Sequence, residues 1–414
     1  MSVKKNFSWQ FFEKILRIAS GVFVTALVAR HIGPAGYGDI SLGMAFLAIA
    51  QSISNFGIDN IYIGKIVKNK NLTKLRASEL FGLKFVSSLF SYFIFLAIII
   101  IFYEKNVAQI VIISAVIFSM FDVFDVLNNA SHNYKFSAIA RISSCIISSA
   151  IKICGIYFNC GVIFFAIANF AEFFLSALFL LTISNFSVVV NPFEKINRIP
   201  GLFRAYKWYA LSMVMVSIYL RIDHVIVEKI CGKEFYGIYS AVVPLVAAWA
   251  FIPVTLVSSS MPSMVEAKKI SQELFFKKIS ELTKKLFIFG LFVSIFYVAF
   301  GDFIISILFG EKYKDGYYVV CFYSVAMIFS FISNAQSPWI ILQNNKKIIF
   351  FKALSGVVIS FFSTILAAHF YGIVGAAFSV MISQALALLF FGFFFARKLF
   401  LCQLVSILRF WSFK

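Results

Sequence analysis

The sequence predicts an all-α integral membrane protein of about twelve transmembrane helices, arranged as two parallel six-helix repeats around a central cavity. Three observations support this fold class. Hydrophobic residues make up 61% of the 414 residues, against roughly 45–50% in soluble domains. They fall into segments of roughly 20 residues, the length at which a helix crosses a ~30 Å hydrocarbon core. A short motif near the N-terminus recurs in the middle of the chain, which indicates two similar halves.

The predicted outer loops are short, and none of them is long enough to fold as a domain. Any binding or chemistry is therefore expected among the helices themselves. In chain order the predicted helices cover residues 7–29, 39–64, 79–103, 107–129, 137–158, 161–185, 206–230, 237–264, 282–309, 317–343, 350–369 and 372–396.

The repeated motif separates predicted helices 1 and 2 and recurs between predicted helices 7 and 8. Residues 28–41 read VARHIGPAGYGDIS and residues 227–240 read VEKICGKEFYGIYS, an offset of 199 residues. An even number of helices separates the two copies, so both halves have the same orientation. The sequence therefore predicts parallel repeats related by an axis along the membrane normal.

The composition of this motif suits a tight turn at the outer surface. Gly33 can end a helix in the left-handed conformation, Pro34 cannot continue it, and Asp39 can cap the next helix. Tyr37 and its counterpart Tyr236 are expected at the membrane surface.

A second repeat also supports two halves. Residues 157–168 resemble residues 369–379, and the alignment places Gly161 over Gly372 at an offset of 211. The larger offset fits a longer inner loop at residues 266–285, where the apolar spacing predicts an amphipathic surface helix.

We therefore divide the chain into an N-terminal six-helix bundle (1–190), a cytoplasmic linker (191–205), a C-terminal six-helix bundle (206–397) and a cytoplasmic amphipathic tail (398–414). The tail and the predicted surface helix are expected to lie on the inner leaflet. Docking on a partner is the alternative for both.

The formal charge of +19 is distributed in a way that argues against nucleic-acid binding. Basic residues cluster after predicted helices 2, 6, 8 and 12, which all end on one side, whereas basic residues on the other side mostly neighbour acidic ones. The positive-inside rule then places both termini in the cytoplasm. The basic excess sets topology and favours anionic lipid. The first residues lack a signal-peptide cleavage pattern, so helix 1 is expected to remain as an anchor.

Cysteine usage predicts neither a metal site nor a redox site. The six cysteines are scattered, without C-x-x-C spacing or nearby histidines. We interpret them as packing residues.

Prolines predict interruptions in two of the helices. Pro244, Pro253 and Pro262 lie in predicted helix 8, and Pro338 lies in predicted helix 10. Kinks or breaks at these positions could serve as hinges.

Four motifs carry a resemblance to a known family. They are ARHIGPAGYG (29–38), NFGIDN (55–60), ILFGEKYKDG (307–316) and YGIVGAAFSVMISQ (371–384), and together they resemble the Wzx-type polysaccharide flippases. These flippases belong to the superfamily that also holds the lipid II flippases and multidrug exporters. The resemblance covers nearly the whole chain, but its motifs say little about the sugar.

The resemblance implies a multi-pass protein of the bacterial cytoplasmic (inner) membrane that translocates polyprenyl (undecaprenyl) diphosphate-linked oligosaccharides to the outer leaflet by alternating access, for O-antigen or another surface polysaccharide. It implies a transporter rather than an enzyme, with no cofactor apart from a coupling proton or sodium ion. The implied partners are the lipid-linked oligosaccharide, membrane lipid, a polysaccharide polymerase and a chain-length regulator.

Charged residues inside the predicted helices are the best site candidates. Each costs about 2.5–3.5 kcal/mol at mid-membrane, so those present are expected to face a cavity or a partner. Arg17 can donate a forked pair of hydrogen bonds to phosphate, and it falls where the resembling lipid II flippases carry a cavity arginine. A second arginine expected after it is replaced by apolar residues 22–24. The substrate-binding candidates are Arg17, Arg30, Lys152, Arg221 and His224.

Four of these five residues also have a structural explanation. Arg17 can pair with Glu13 on the same helix face, Arg30 can anchor helix 1 at the interface, and Lys152 can snorkel to a helix end. His224 can be a hydrogen-bonded core residue. Both interpretations stay open at the level of the sequence.

Acidic and amide residues form stripes at helical spacing on predicted helices 2, 4 and 6, and such stripes turn away from lipid. They could bind sugar hydroxyls, carry a coupling proton or sodium ion, or pair with the cations. The candidate acids are Glu13, Asp59, Asp122, Asp125, Glu172 and Asp223, and the stripes are completed by Gln51, Asn55, Asn129, Asn169 and Ser176.

Two other functions remain open. A cation-coupled multidrug exporter of the same superfamily would be favoured by a cavity dominated by acids, and disfavoured by one rich in Arg and Lys. A membrane polymerase or acyltransferase would be expected to need a large outer loop or a catalytic His/Asp/Arg group, and the short predicted loops argue against it.

Overall fold

The computed structural model describes residues 3–55, 57–69, 72–184, 199–343 and 346–408. Within these ranges the chain is helical and forms no β-strand, which confirms the all-α fold class. Its α-helices are α1 (Val3–Asn55), α2 (Asp59–Lys68), α3 (Thr73–Phe102), α4 (Val107–Ser114), α5 (Asp122–Ala130), α6 (Tyr134–Tyr157), α7 (Val162–Ile183), α8 (Ile199–Tyr219), α9 (Ile222–Ala247), α10 (Phe251–Ile270), α11 (Gln272–Leu308), α12 (Gly316–Asn334), α13 (Ser337–Leu342), α14 (Lys346–Phe395) and α15 (Arg397–Leu408).

The length of three helical stretches accounts for the number of membrane crossings. Nine stretches in the described residues are long and apolar enough to span a membrane, and three of these are 47, 67 and 48 residues long. At 1.5 Å per residue, even the shortest of the three would extend about 70 Å, more than twice a hydrocarbon core. Each of the three contains a glycine with positive φ, so each is two crossing segments. Counted in this way, the described helices are consistent with the predicted twelve.

The two copies of the repeated motif adopt the same backbone conformation. Gly33 has φ 74° and ψ 171°, and Gly232 has φ 83° and ψ 170°. Positive φ was predicted, but ψ is extended rather than left-handed helical, a region that is essentially reserved for glycine. At the second repeat, Gly372 also has positive φ (58°), whereas Gly161 has φ −81°. The two halves therefore share the backbone conformation of the glycine at the first repeat, Gly33 and Gly232. At the second repeat, Gly161 and Gly372 match in sequence position but differ in conformation.

Three expectations about the motif's side chains were wrong. Asp39 does not cap the next helix, because that helix resumes directly after Gly33 and Asp39 lies inside it. Its carboxylate instead accepts a hydrogen bond of 2.9 Å from the Asn106 side chain. Tyr37 and Tyr236 are 6% and 0% exposed, so both rings pack inside the protein rather than on a lipid surface.

The two segments predicted to be surface helices pack on each other. The inner-loop segment is divided at Ser271 between the end of α10 and the start of α11, and it forms no separate helix. The described part of the tail is α15, which lies against α11. The Ser280 hydroxyl donates to the Cys402 carbonyl at 3.3 Å, and the Gln403 amide donates to Thr283 Oγ1 at 3.0 Å. Polar contacts of this kind fix α15 on its own chain.

Contacts divide the chain into two compact units, residues 1–218 and 219–414. The division falls at the break between α8 and α9. The predicted linker, residues 191–205, lies partly outside the described residues, and its remainder belongs to α8.

Proline accounts for two interruptions of the helices. The ring of Pro253 prevents a regular hydrogen bond to the carbonyl four residues earlier, and that residue, Trp249, lies in a 3₁₀ turn between α9 and α10. Pro338 stands in the same relation to Asn334, where α12 ends before α13 begins. Pro262 lies within continuous α10. Pro253 and Pro338 thus coincide with breaks in the predicted helices 8 (237–264) and 10 (317–343). The role of these breaks as hinges stays a prediction.

The glycine turns give a first test. We expect Gly33→Ala to lower the stability of the protein by about 1–3 kcal/mol, the usual cost of a strained backbone region. A Cβ at Gly33 would meet no atom within 4 Å, so the effect isolates the backbone. Gly21→Ala on the same helix is the matched control, because Gly21 has equal space and no positive φ. It should leave the unfolding midpoint in detergent unchanged or raise it. Equal midpoints for both variants would contradict the interpretation.

Candidate functional site

A polar cavity of about 210 Å³ lies within the first unit, among α1, the region around α5, α6 and α7. Most of the side chains that line it are charged, amide or hydroxyl groups, although the surrounding helices are apolar. The lining residues are Arg17, Gln51, Asn55, Phe118, Ser119, Asp122, Arg141, Ser144, Glu172, Phe173, Ser176 and Ala177.

Regular helical spacing delivers most of this lining. Gln51 and Asn55 are one turn apart at the end of α1, and Glu172 and Ser176 are one turn apart on α7. These pairs belong to two of the predicted polar stripes. The remaining members of those stripes turn elsewhere: Asn169 donates to the Phe165 carbonyl at 2.8 Å.

An interrupted helix supplies the third polar stripe. Between α4 and α5 the chain forms a 3₁₀ segment, Ala115–Phe121, and Asp122 follows it immediately. Runs of 3₁₀ helix longer than three or four residues are uncommon and often mark functional positions. The Ser119 hydroxyl donates to the Val116 carbonyl at 2.6 Å and lies 2.5 Å from the Ser54 hydroxyl, which ties this segment to α1. The break thus brings Asp122 into the cavity.

Arg17 faces the cavity and keeps the ion pair that its spacing predicted. Its Nη1 donates to Glu13 Oε1 at 3.2 Å, and the Tyr134 hydroxyl donates to the other carboxylate oxygen at 2.9 Å. The side chain of Glu13 is 3% exposed, whereas that of Arg17 is 47% exposed. Glu13 is therefore a buried support that orients an accessible guanidinium group.

Arg141, on α6, is a cavity cation that the sequence interpretation missed. Its Nη2 contacts Asp125 Oδ2 at 2.9 Å, and it lines the cavity together with Arg17. The rule that singled out Arg17 applies equally to Arg141, because both lie inside predicted transmembrane helices. Asp125, the second acid of its stripe, therefore neutralises a cation beside the cavity.

Two further candidate acids occupy different environments. Glu172 lines the cavity, and its Oε2 lies 3.3 Å from the Nζ of Lys152, which joins two predicted site residues. Asp122 also lines the cavity, and the charges that act on it are the opposite charges of Lys84 and Arg141 and the like charges of Asp125 and Asp59. The two carboxylates thus share one cavity but have different charged neighbours.

Lys84, on α3, is a second missed cation, and it explains where Asp59 lies. The lysine side chain is 0% exposed, and its Nζ contacts Asp59 Oδ1 at 2.9 Å and Asn55 Oδ1 at 3.0 Å. Gly57, with φ 61°, interrupts the helix between these two acceptors. Because of this break, Asp59 turns from the polar stripe toward Lys84 and does not line the cavity.

The other predicted site residues are not among those that line this cavity. Arg221 precedes α9 in the second unit, and Asp223 and His224 are 3% and 4% exposed. The Tyr239 hydroxyl donates to Asp223 at 2.5 Å, and His224 Nδ1 lies 3.2 Å from the Tyr236 hydroxyl.

Arg30 is exposed near the end of the first segment of α1 and does not line the cavity. The adjacent residue, His31, contacts the Cys160 carbonyl through Nε2 at 3.1 Å. This places Arg30 next to the first glycine turn. A direct role in binding stays a prediction.

An apolar groove of about 590 Å³ lies in the same unit, between α3 and α8. It is lined by aliphatic and aromatic groups, including Ile53, Leu83, Phe90 and Trp208, with Lys207 among its few polar residues. Ile53 lies between Gln51 and Asn55 on α1, so opposite faces of the same helix end meet the polar cavity and the apolar groove.

The charged groups that line the cavity are balanced in number. Its lining contains two arginines and two carboxylates, namely Arg17, Arg141, Asp122 and Glu172. An excess of basic residues would have disfavoured cationic drugs and an excess of acids would have favoured them. Charge balance alone therefore does not choose between those substrates.

The chain is similar to proteins of polysaccharide biosynthesis. A family model described as polysaccharide biosynthesis protein matches residues 27–318. The capsular polysaccharide biosynthesis protein CapF of Staphylococcus aureus is 22% identical over 428 residues, covering 95% of this chain and 99% of CapF.

Two solved structures show the fold. Lipid II flippase MurJ in an inward closed conformation has a TM-score of 0.66 at 14% identity, with 98% of this chain and 91% of that chain covered. An inward-facing multidrug resistance MATE family transporter of the MOP superfamily has a TM-score of 0.56 at 14% identity, with coverages of 98% and 96%. At this identity the likeness concerns the fold alone.

The contact between Lys84 and Asp59 gives a second test. Breaking a buried ion pair from one side costs about 3–5 kcal/mol when the remaining charge is fully buried. Lys84 is fully buried, whereas the Asp59 side chain is 36% exposed. We therefore expect Asp59→Ala to lower the unfolding midpoint more than Lys84→Met does, and the double variant to recover part of the loss. The opposite order would show that Lys84 finds another partner.

Proposed function

The chain belongs to the polysaccharide biosynthesis protein family, and we propose that it moves oligosaccharides linked to polyprenyl (undecaprenyl) diphosphate from the inner to the outer leaflet of the bacterial cytoplasmic membrane. The family match over residues 27–318 supports a role in polysaccharide synthesis, and the fold is shared with MOP superfamily transporters. The observation that carries the proposal is a polar cavity with two guanidinium groups inside an apolar helical unit. The expected topology places both termini in the cytoplasm.

The diphosphate is the part of this substrate that most needs the cavity. Moving an unpaired charge into hydrocarbon costs many kcal/mol, so a transporter has to replace the lost hydration with hydrogen-bond donors. Arg17 is half-exposed, and its contact with Glu13 uses Nη1. Arg141 is the second guanidinium group, and planar guanidinium groups match phosphate oxygens in pairs.

The amide and hydroxyl groups suit the sugar next to the diphosphate. Gln51, Asn55, Ser144 and Ser176 can donate to and accept from sugar hydroxyls. The volume of about 210 Å³ is below that of pockets for drug-sized ligands, roughly 300–1,000 Å³. A whole repeat unit therefore requires the cavity to widen during the transport cycle.

The apolar groove between α3 and α8 suits the polyprenyl tail. It is almost entirely apolar, and it is separated from the polar cavity by the end of α1. A substrate with a charged head and a hydrocarbon tail needs adjacent surfaces of opposite character. We assign the groove to the first isoprene units, while the rest of the tail stays in lipid.

A coupling proton or sodium ion completes the proposal, with Asp122 as its site. Asp122 lines the cavity beside the Arg141–Asp125 pair, where a bound cation would change the electrostatic balance around both arginines. Asp122→Asn should lower export and remove its dependence on the ion gradient, while Asp302→Asn, a change in the second unit, should do neither. Export in vesicles with the proton gradient collapsed or sodium withdrawn identifies the ion, and full gradient dependence in Asp122→Asn would contradict this assignment.

Deletion of the gene tests the proposed function itself. We expect loss of surface polysaccharide, with the polyprenyl-linked precursor retained on the inner leaflet because its charged head group does not cross the hydrocarbon core unaided. Accessibility of the precursor in right-side-out and inverted vesicles measures its sidedness. Normal polysaccharide together with altered sensitivity to cationic compounds would instead support a multidrug exporter. Precursor that reaches the outer leaflet but is not polymerised would indicate a polymerase.

Substitution of Arg17 tests the cavity. Arg17→Ala should abolish polysaccharide export at unchanged protein level, and Arg17→Lys should restore only part of it, because a lysine cannot form the forked pair of hydrogen bonds. Lys14→Ala is the matched control, since Lys14 is exposed on the same helix and does not line the cavity. Normal export by a well-expressed Arg17→Ala protein would remove Arg17 from the site.

A further inference from the structure

A second, basic pocket lies in the second unit, far along the chain from the proposed substrate cavity. It has a volume of about 330 Å³ and is formed where the ends of α10, α13 and α14 meet the starts of α11 and α15. Lys268, Arg397 and Lys398 contribute to its lining. Among the described residues that line it, none is acidic. This arrangement differs from the first unit, where carboxylates accompany the cations.

The geometry of Lys268 shows that this pocket is built into the fold. Its Nζ donates to the Leu342 carbonyl at 2.9 Å, at the end of α13, and lies 6.0 Å from the centre of the Phe275 ring. The side chain is therefore held in place by two neighbouring helices. The amides of Gln272 and Gln343 add hydrogen-bond donors at the same pocket.

The chemistry of the pocket matches a phosphate group. Three cations without an acidic neighbour in the lining attract an anion, and Arg397 can donate two parallel hydrogen bonds to phosphate oxygens. Arg397 and Lys398 also begin α15, where the helix dipole adds a favourable potential for negative charge.

The surroundings of the pocket favour a lipid as the source of that phosphate. Phe395 forms one wall and is 38% exposed, and the next turns of α15 expose Leu401 and Val405 by 49% and 45%. A soluble anion gains nothing from these apolar groups, whereas acyl chains cover them. Basic pockets between transmembrane helices on the cytoplasmic side are typical sites for anionic lipid head groups.

We propose that this pocket binds the head group of an anionic phospholipid and that the bound lipid joins α15 to the ends of α10 and α13. The site is independent of the proposed transport substrate, because it lies in a different unit and uses different residues. In this proposal the contacts between α15 and α11 have a role in binding, because they hold Arg397 and Lys398 at the pocket.

Native mass spectrometry of the full-length protein in neutral detergent tests this proposal. We expect phosphatidylglycerol to stay bound in preference to phosphatidylcholine. The double variant Arg397→Gln/Lys398→Gln should weaken phosphatidylglycerol binding about 30-fold, as expected for two surface cations. The matched control is Lys277→Gln/Lys285→Gln, which removes the same charge from exposed positions of α11 that do not line the pocket.

Several outcomes would overturn the proposal. Equal binding of the two lipids by the unaltered protein would show that the pocket does not distinguish the phosphatidylglycerol head group from that of phosphatidylcholine. This result does not depend on the folding of any variant. Equal losses in the two double variants would indicate diffuse surface charge. Displacement of phosphatidylglycerol by millimolar inorganic phosphate, with similar affinity for both, would identify a soluble anion as the ligand.

Discussion

The cost of placing charge among apolar helices is the constraint on which the organisation of the first unit depends. An isolated charge inside the hydrocarbon core is unfavourable, so a charged side chain there is found with a partner of opposite charge or in a polar cavity. Four cations of this unit meet the constraint in the same way, each through one carboxylate. The pairs are Arg17–Glu13, Lys84–Asp59, Arg141–Asp125 and Lys152–Glu172.

These pairs differ in what they leave accessible. Lys84 is fully buried and joins α1, α2 and α3, which suits a structural role. Arg17 and Arg141 line a cavity while their carboxylate partners hold them in place. A diphosphate entering the cavity would compete with those carboxylates for the guanidinium groups. Pairing therefore makes an empty cavity tolerable without removing the donors that the proposed substrate needs.

Interruptions of the helices leave backbone polar groups outside the regular helical hydrogen-bond pattern. They also turn side chains in directions that a straight helix does not allow. Irregular backbone inside a membrane protein is tolerated where it is buried in protein or lines a cavity. The 3₁₀ segment before Asp122 and the break at Gly57 both lie beside the polar cavity, and they send Asp122 and Asp59 in different directions. The same physical rule that produces an all-helical fold thus also permits these two interruptions next to the candidate site.

The sequence by itself determined the fold class, the approximate span of each helix, the glycine junctions and the polar stripes, because these depend on local composition and on helical period. It also singled out Arg17, Asp122 and Glu172 as side chains in need of a cavity or partner. Applied evenly, the same reasoning would have included Lys84 and Arg141. These residues were missed because neither belongs to a visible stripe or motif.

Only the tertiary structure decided which charges meet. Asp125 contacts Arg141 across sixteen residues, and Lys84 reaches Asp59 from another helix. It also placed the tail helix α15 on α11 rather than leaving it as a separate surface helix. An amphipathic pattern indicates that one face of a helix is buried. The sequence does not distinguish burial of that face against lipid from burial against protein. Pairing and packing depend on helix rotation and on breaks in the backbone, which are set by contacts between residues far apart in the chain.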